Sequence, residues 1–166
     1  MLSYKDFTKY FGYSLYDNDF KRFLDITFND LTEYNILESS YITSEEKGIE
    51  LGFTNNDAVY DDDEGVIFVK GNPIFSHLNF YPASTIIINQ LPFDISFDTI
   101  RNTVLEKTGL PTKTKRGYSE LLKTGYLLDH YKIQDIVISF DYKVLDETIK
   151  FIQVRSNRLV EHLSRL

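Results

Sequence analysis

Tyr126-Leu127-Leu128-Asp129-His130-Tyr131-Lys132, Asp135-Ile136-Val137-Ile138-Ser139-Phe140-Asp141-Tyr142 and Glu147-Thr148-Ile149-Lys150-Phe151-Ile152-Gln153-Val154-Arg155 follow one another closely near the end of the chain. Ile136, Ile138 and Phe140 alternate with their neighbours, the period of a strand with one buried face. Val144-Leu145-Asp146 supplies a turn before the third segment. Parallel pairing needs a crossover of a dozen or more residues, so strands this close form an antiparallel meander. This reading decides the fold class.

On the N-terminal side of the meander, Thr112 to Lys123 is polar and basic, with Lys113, Lys115, Arg116 and Lys123, and reads as a loop. Before it, Ile100, Val104 and Leu105 share one side of a helix expected at about 97–108, which Gly109 and Pro111 end in the usual order. Beyond the meander a helix is expected at about 156–165, carrying Leu159, Val160 and Leu163. Gly71-Asn72-Pro73 reads as a turn and Ile86–Ile88 as a buried strand; residues 70–97 otherwise show no clear period.

The chain opens with two aromatic stripes at helical spacing. Tyr4, Phe7, Tyr10 and Phe11 predict a helix at about 3–11, broken at Gly12. Phe20, Phe23, Leu24, Phe28 and Leu31 predict a second, capped by Asp17 or Asn18. Strands follow at 34–42 and 48–53, the latter alternating at Ile49, Leu51 and Phe53, with Ser44-Glu45-Glu46-Lys47 as the turn between them. From Asn55 a loop runs to Gly65 and a strand Val66-Ile67-Phe68-Val69 returns, which predicts that the loop joins two paired strands, 48–53 and 66–69. The expected fold is α+β: an antiparallel meander sheet with the N-terminal helices and one central helix on one face.

Length and composition suit a single domain over residues 1–166. The 42% hydrophobic content, with 13 Phe and 12 Tyr, is enough for a core, and the absence of Cys removes disulfides and thiolate metal sites. Apolar runs such as Ile86-Ile87-Ile88 are far too short for a bilayer, and Met1-Leu2-Ser3-Tyr4-Lys5-Asp6 does not look like a secretion signal. A cytoplasmic protein is expected.

Known catalytic and metal patterns do not fit. An EF-hand loop needs oxygen ligands at positions one, three and five and Gly at six; from Asp57 the third is Val59 and the sixth Asp62, and from Asp61 the fifth is Gly65. His77, His130 and His162 lie in unrelated segments without zinc-helix spacing. No Ser sits in a Gly-x-Ser-x-Gly elbow, and no Gly-rich phosphate loop is present. Neither catalytic residue, metal nor cofactor is expected. A carboxylate pair working as acid and base is the enzymatic alternative.

Charge is divided unevenly. Residues 1–83 carry fifteen Asp/Glu against six Lys/Arg, a net of −9, whereas residues 84–166 carry ten against twelve, a net of +2. Like charge held together repels phosphates and attracts cations, which disfavours direct nucleic-acid binding and favours a basic protein partner. Asp57, Asp61, Asp62, Asp63 and Glu64 would supply the charge and Tyr60 a rigid anchor.

Two N-terminal helices, Lys47-Gly48-Ile49-Glu50-Leu51-Gly52-Phe53, an acidic loop, Gly65-Val66-Ile67-Phe68-Val69, Gln90-Leu91-Pro92-Phe93-Asp94-Ile95-Ser96-Phe97, Thr108-Gly109-Leu110-Pro111 and the closing meander form an order that resembles small bacterial immunity proteins. These accompany polymorphic toxins, including those of contact-dependent growth inhibition. The resemblance covers about residues 1–155 and implies a stoichiometric inhibitor without catalysis, whose partner is the C-terminal domain of a cognate toxin, often a nuclease with a basic cleft. An acidic mimic of nucleic acid, occupying a DNA-binding enzyme, is the alternative that the same charge allows.

Overall fold

The computed structural model describes residues 1–28, 41–55, 59–61, 65–67 and 73–157. Its centre is a seven-stranded antiparallel sheet. With β1 at Leu2–Ser3, the strands of the large sheet are β2 (Tyr41–Ser44), β3 (Ile49–Asn55), β6 (Pro73–Phe80), β8 (Lys113–Ser119), β9 (Thr124–Ile133), β10 (Ile136–Tyr142) and β11 (Ile149–Ser156). They stand in the order β2-β3-β6-β11-β10-β9-β8. Within this sheet the acidic half of the chain thus contributes β2, β3 and β6, the other half contributes β8 to β11, and the two join where β6 pairs with β11. β1 pairs in parallel with β7 (Ile88–Gln90), and β4 (Val59–Asp61) pairs with β5 (Gly65–Ile67), each as a separate two-stranded sheet.

Helices α1 (Tyr4–Thr8), α2 (Asn18–Thr27) and α3 (Arg101–Thr108) lie on one face of the large sheet. Asp6 ties α1 down by accepting from the Ser3 backbone N–H at 2.8 Å. Asp17 caps α2, accepting from the amides of Asp19 at 3.0 Å and Phe20 at 3.3 Å, which satisfies donors the helix itself cannot. Phe7 meets Phe80 edge-on at 5.9 Å and Phe20 stacks on Phe75 at 4.9 Å, so both N-terminal stripes point into the core. Burying one such Phe stabilises the fold by about 1.5–3 kcal/mol. Beneath α3, Phe93 packs on Tyr131 and Phe140. Gly109, at φ +78°, ends α3 in a conformation that a side chain would strain.

Several expectations change. The predicted loop Thr112–Lys123 contains β8, an edge strand held to β9 by main-chain pairing from Lys113↔His130 to Ser119↔Thr124. Its cations suit an edge, where charge discourages further strand addition. Of the strand predicted at Ile86–Ile88, Ile86 ends a 3-10 turn, Pro82–Ile86, and is exposed, Ile87 caps that turn, and only Ile88 enters β7. The central helix starts later, at Arg101, and Ile100 lies exposed at its cap while Val104 is buried. Of the strand predicted at 66–69, the described Val66 and Ile67 pair with Tyr60 and Val59 and not with 48–53: β3 is flanked by β2 and β6, and Ile49, Leu51 and Phe53 pack beside Ile42, Leu78 and Phe80 in the core. The strand portion 34–40, Leu31 and the helix beyond Asn157 lie outside the described residues.

Candidate functional site

Of the residues expected to meet a partner, Tyr60 and Asp61 fall in β4, where Tyr60 faces Val66 and Asp61 faces Gly65 across the ladder. Asp62, Asp63 and Glu64 connect that last pair in sequence, and these three and Asp57 lie outside the described residues. The described part of the acidic segment, Tyr60 and Asp61, thus lies in a two-stranded sheet of its own, apart from the large one.

A second feature was not anticipated. Side chains alternate between the two faces of a strand, so each inward apolar residue leaves its neighbour on the face away from the helices. In one line across all seven strands, that opposite face carries Thr43, Glu50, Asn79, Gln153, Ser139, His130 and Lys113, each directly paired with the next. Seven strands at their usual separation make this polar row roughly 29 Å long. Asn79 donates to Glu50 Oε2 at 2.6 Å, Gln153 donates to Asn79 Oδ1 at 3.0 Å, and His130 Nδ1 lies 2.7 Å from Ser139 Oγ. Asn79, Ser139 and His130 are buried. Buried polar groups tolerate such a position only when bonded, so the row specifies register as well as contributing stability.

At the acidic end, Tyr81 also donates to Glu50 Oε2, at 3.1 Å, and a groove of about 350 Å³ opens beside them, lined by Thr43, Pro82 and Ala83. Burial and the Glu50 charge push the Tyr81 hydroxyl up to about 12 and raise that of Tyr41. The adjacent row runs Tyr41, Gly52, His77, Arg155, Val137, Lys132. His77 lies across Gly52, with Ser76 Oγ 2.8 Å from its Nδ1 and Tyr41 edge-on at 5.2 Å. Burial first, and the Arg155 charge second, push His77 down to about 4. His130 is likewise pushed down to about 4, by burial and then by Lys115 and Arg155. Two histidines from unrelated segments thus share one face and one cationic neighbour.

On the helix face a different polar group is closed. Asp129 is fully buried and accepts from Arg101 Nε at 2.7 Å and Nη2 at 3.0 Å, and from Thr114 Oγ1 at 2.5 Å. This joins α3, β8 and β9. Among the described residues no three of His, Asp and Glu converge as a metal site, and no helix is long and apolar enough to cross a membrane.

The signal for the polar row was present but partial. Gln153 and Arg155 alternate with Ile152 and Val154 and so had to face away from the core, whereas the rest of the row depends on the register of six other strands. Comparison of the chain with family models, curated proteins and solved structures finds no match.

Proposed function

We propose that this protein is an immunity protein: a stoichiometric, non-catalytic inhibitor that binds the C-terminal domain of a cognate toxin, a basic nuclease domain, in the cytoplasm. Asp57, Asp61, Asp62, Asp63 and Glu64 supply the attraction and Tyr60 the anchor. The observation that carries this reading is the β4–β5 hairpin. Tyr60 and Asp61 belong to a small sheet of their own, and the next three acids follow at the pair Asp61↔Gly65, so the densest charge of the −9 half is concentrated in a few residues. Concentrated charge speeds capture of an opposite partner, which an inhibitor racing a toxin needs.

The direct test is capture of the protein encoded by the neighbouring gene, followed by an assay of that protein's toxicity with and without this chain. A one-to-one complex that abolishes toxicity supports the proposal. Binding to a DNA-handling host enzyme instead, relieved by duplex DNA, would favour the nucleic-acid mimic.

A further inference from the structure

Two arginines of this fold use the same edge of the guanidinium in opposite ways. Arg101 presents Nε and Nη2 to both oxygens of Asp129 at 2.7 and 3.0 Å. Arg155 presents the same two atoms, Nε and Nη2, buried and without a hydrogen-bond partner among the described residues. Parallel N–H groups on that edge match two oxygens of a carboxylate or phosphate. Removing an unpaired cation from water costs several kcal/mol, so a fold that keeps one there without an internal acid holds it for something else.

The surroundings have the same character. Arg155 stands between His77 and Val137 in register, with Lys132 next in that row. His130, 6% exposed, has a buried Nε2 that also lacks a partner among the described residues. The nearest acid of the polar row, Glu50, is already engaged by Asn79 and Tyr81. Asp141, also on this face, feels the charge of Lys150. Arg155 as a whole keeps partial exposure, while Nε and Nη2 themselves are covered.

We propose that Arg155 is an oxyanion receptor on the face of the sheet away from the helices, gripping two oxygens of a carboxylate or phosphate group through Nε and Nη2, with His77 and His130 at its flanks. The site belongs to the large sheet and does not depend on the acidic hairpin or on any toxin. A small anion bound here would lock β6, β11 and β10 together at the join between the two halves of the chain.

The test follows the Nε–H resonance of Arg155 by NMR while sodium phosphate or sodium acetate is added at constant ionic strength, with chloride as the control. A saturable shift with phosphate, acetate or both, and none with chloride, is expected; the stronger of the two identifies the ligand class. Thermal unfolding gives a second reading, since an anion that binds only the folded state raises Tm in a saturable way. Arg155→Met should lose at least tenfold in apparent affinity yet be no less stable than the wild type in chloride alone. An Nε–H resonance insensitive to both anions overturns the proposal, as does equal anion stabilisation of Arg155→Met. Should that variant fail to fold, the wild-type titration decides alone.

Discussion

The ring of His77 occupies the space where a β-carbon on Gly52 would stand: its Nε2 lies 2.0 Å from that position and its Cε1 2.2 Å. The two residues face each other across β3 and β6, and the ring reaches Tyr41 on the next strand only because nothing projects from Gly52. Gly52→Ala should therefore displace the ring and its contacts with Ser76 and Tyr41, costing about 1–3 kcal/mol as overpacking does. Urea unfolding measures this directly. A midpoint unchanged from wild type would show that the ring moves freely, and His77→Ala in the Gly52→Ala background should recover part of any loss.

The Arg101–Asp129 pair is the tie between α3 and the sheet. Asp129→Ala leaves Arg101 and Thr114 without their acceptor and should destabilise by about 3–5 kcal/mol, the range for breaking a buried pair. Arg101 retains 20% side-chain exposure, so water can recover part of its share and the lower figure is expected. A double-mutant cycle with Arg101→Met measures the coupling. Additive losses would mean that the two side chains do not act together.

Stability should depend on pH through the histidines. His77 and His130 fall from the ordinary 6.5 to about 4 in the folded state, so between those values the unfolded chain binds protons that the folded chain does not. Their contribution is complete above about pH 6.5 and is lost as pH falls toward about 4, with a slope of at most about 1.4 kcal/mol per pH unit for each. Urea midpoints across that range should decline in the wild type and decline less in His130→Gln. Parallel curves for the two proteins would reject this assignment.

Charge in the acidic segment should govern the rate of complex formation. Replacing Asp57, Asp61, Asp62, Asp63 and Glu64 by Asn or Gln should lower the association rate with the toxin domain and flatten its dependence on salt, because steering fades as the Debye length shortens. Stopped-flow association at several salt concentrations checks this. An on-rate identical to that of the wild type would remove these five residues from the mechanism.

The meander could be read from sequence because Ile136, Ile138 and Phe140 keep strict alternation and every one of its turns is short. β6 could not, although it is the strand on which the two halves join. Its pairing shifts at Phe53, where Gly52↔His77 is followed by Phe53↔Phe75, so Ser76 is an extra residue and the core positions Phe75, Leu78 and Phe80 are spaced three and then two apart. β8 offers Lys113, Lys115 and Arg116 and no aliphatic residue, so nothing but its ladder with β9 identifies it as a strand. The polar row is hidden for a further reason. Each member is an ordinary outward residue of its own strand, and only the registers of six strand pairs bring Thr43 and Lys113 onto one line.

The order β2-β3-β6-β11-β10-β9-β8 spreads the two unequal halves of the chain along the width of the sheet, with −9 of formal charge on the half that supplies one side and +2 on the half that supplies the other. A molecule whose charge is so unevenly divided has a lasting dipole moment. A charged body nearby would exert a torque on it and turn it before touching it, so orientation would be selected during diffusion while salt is low enough for the field to reach.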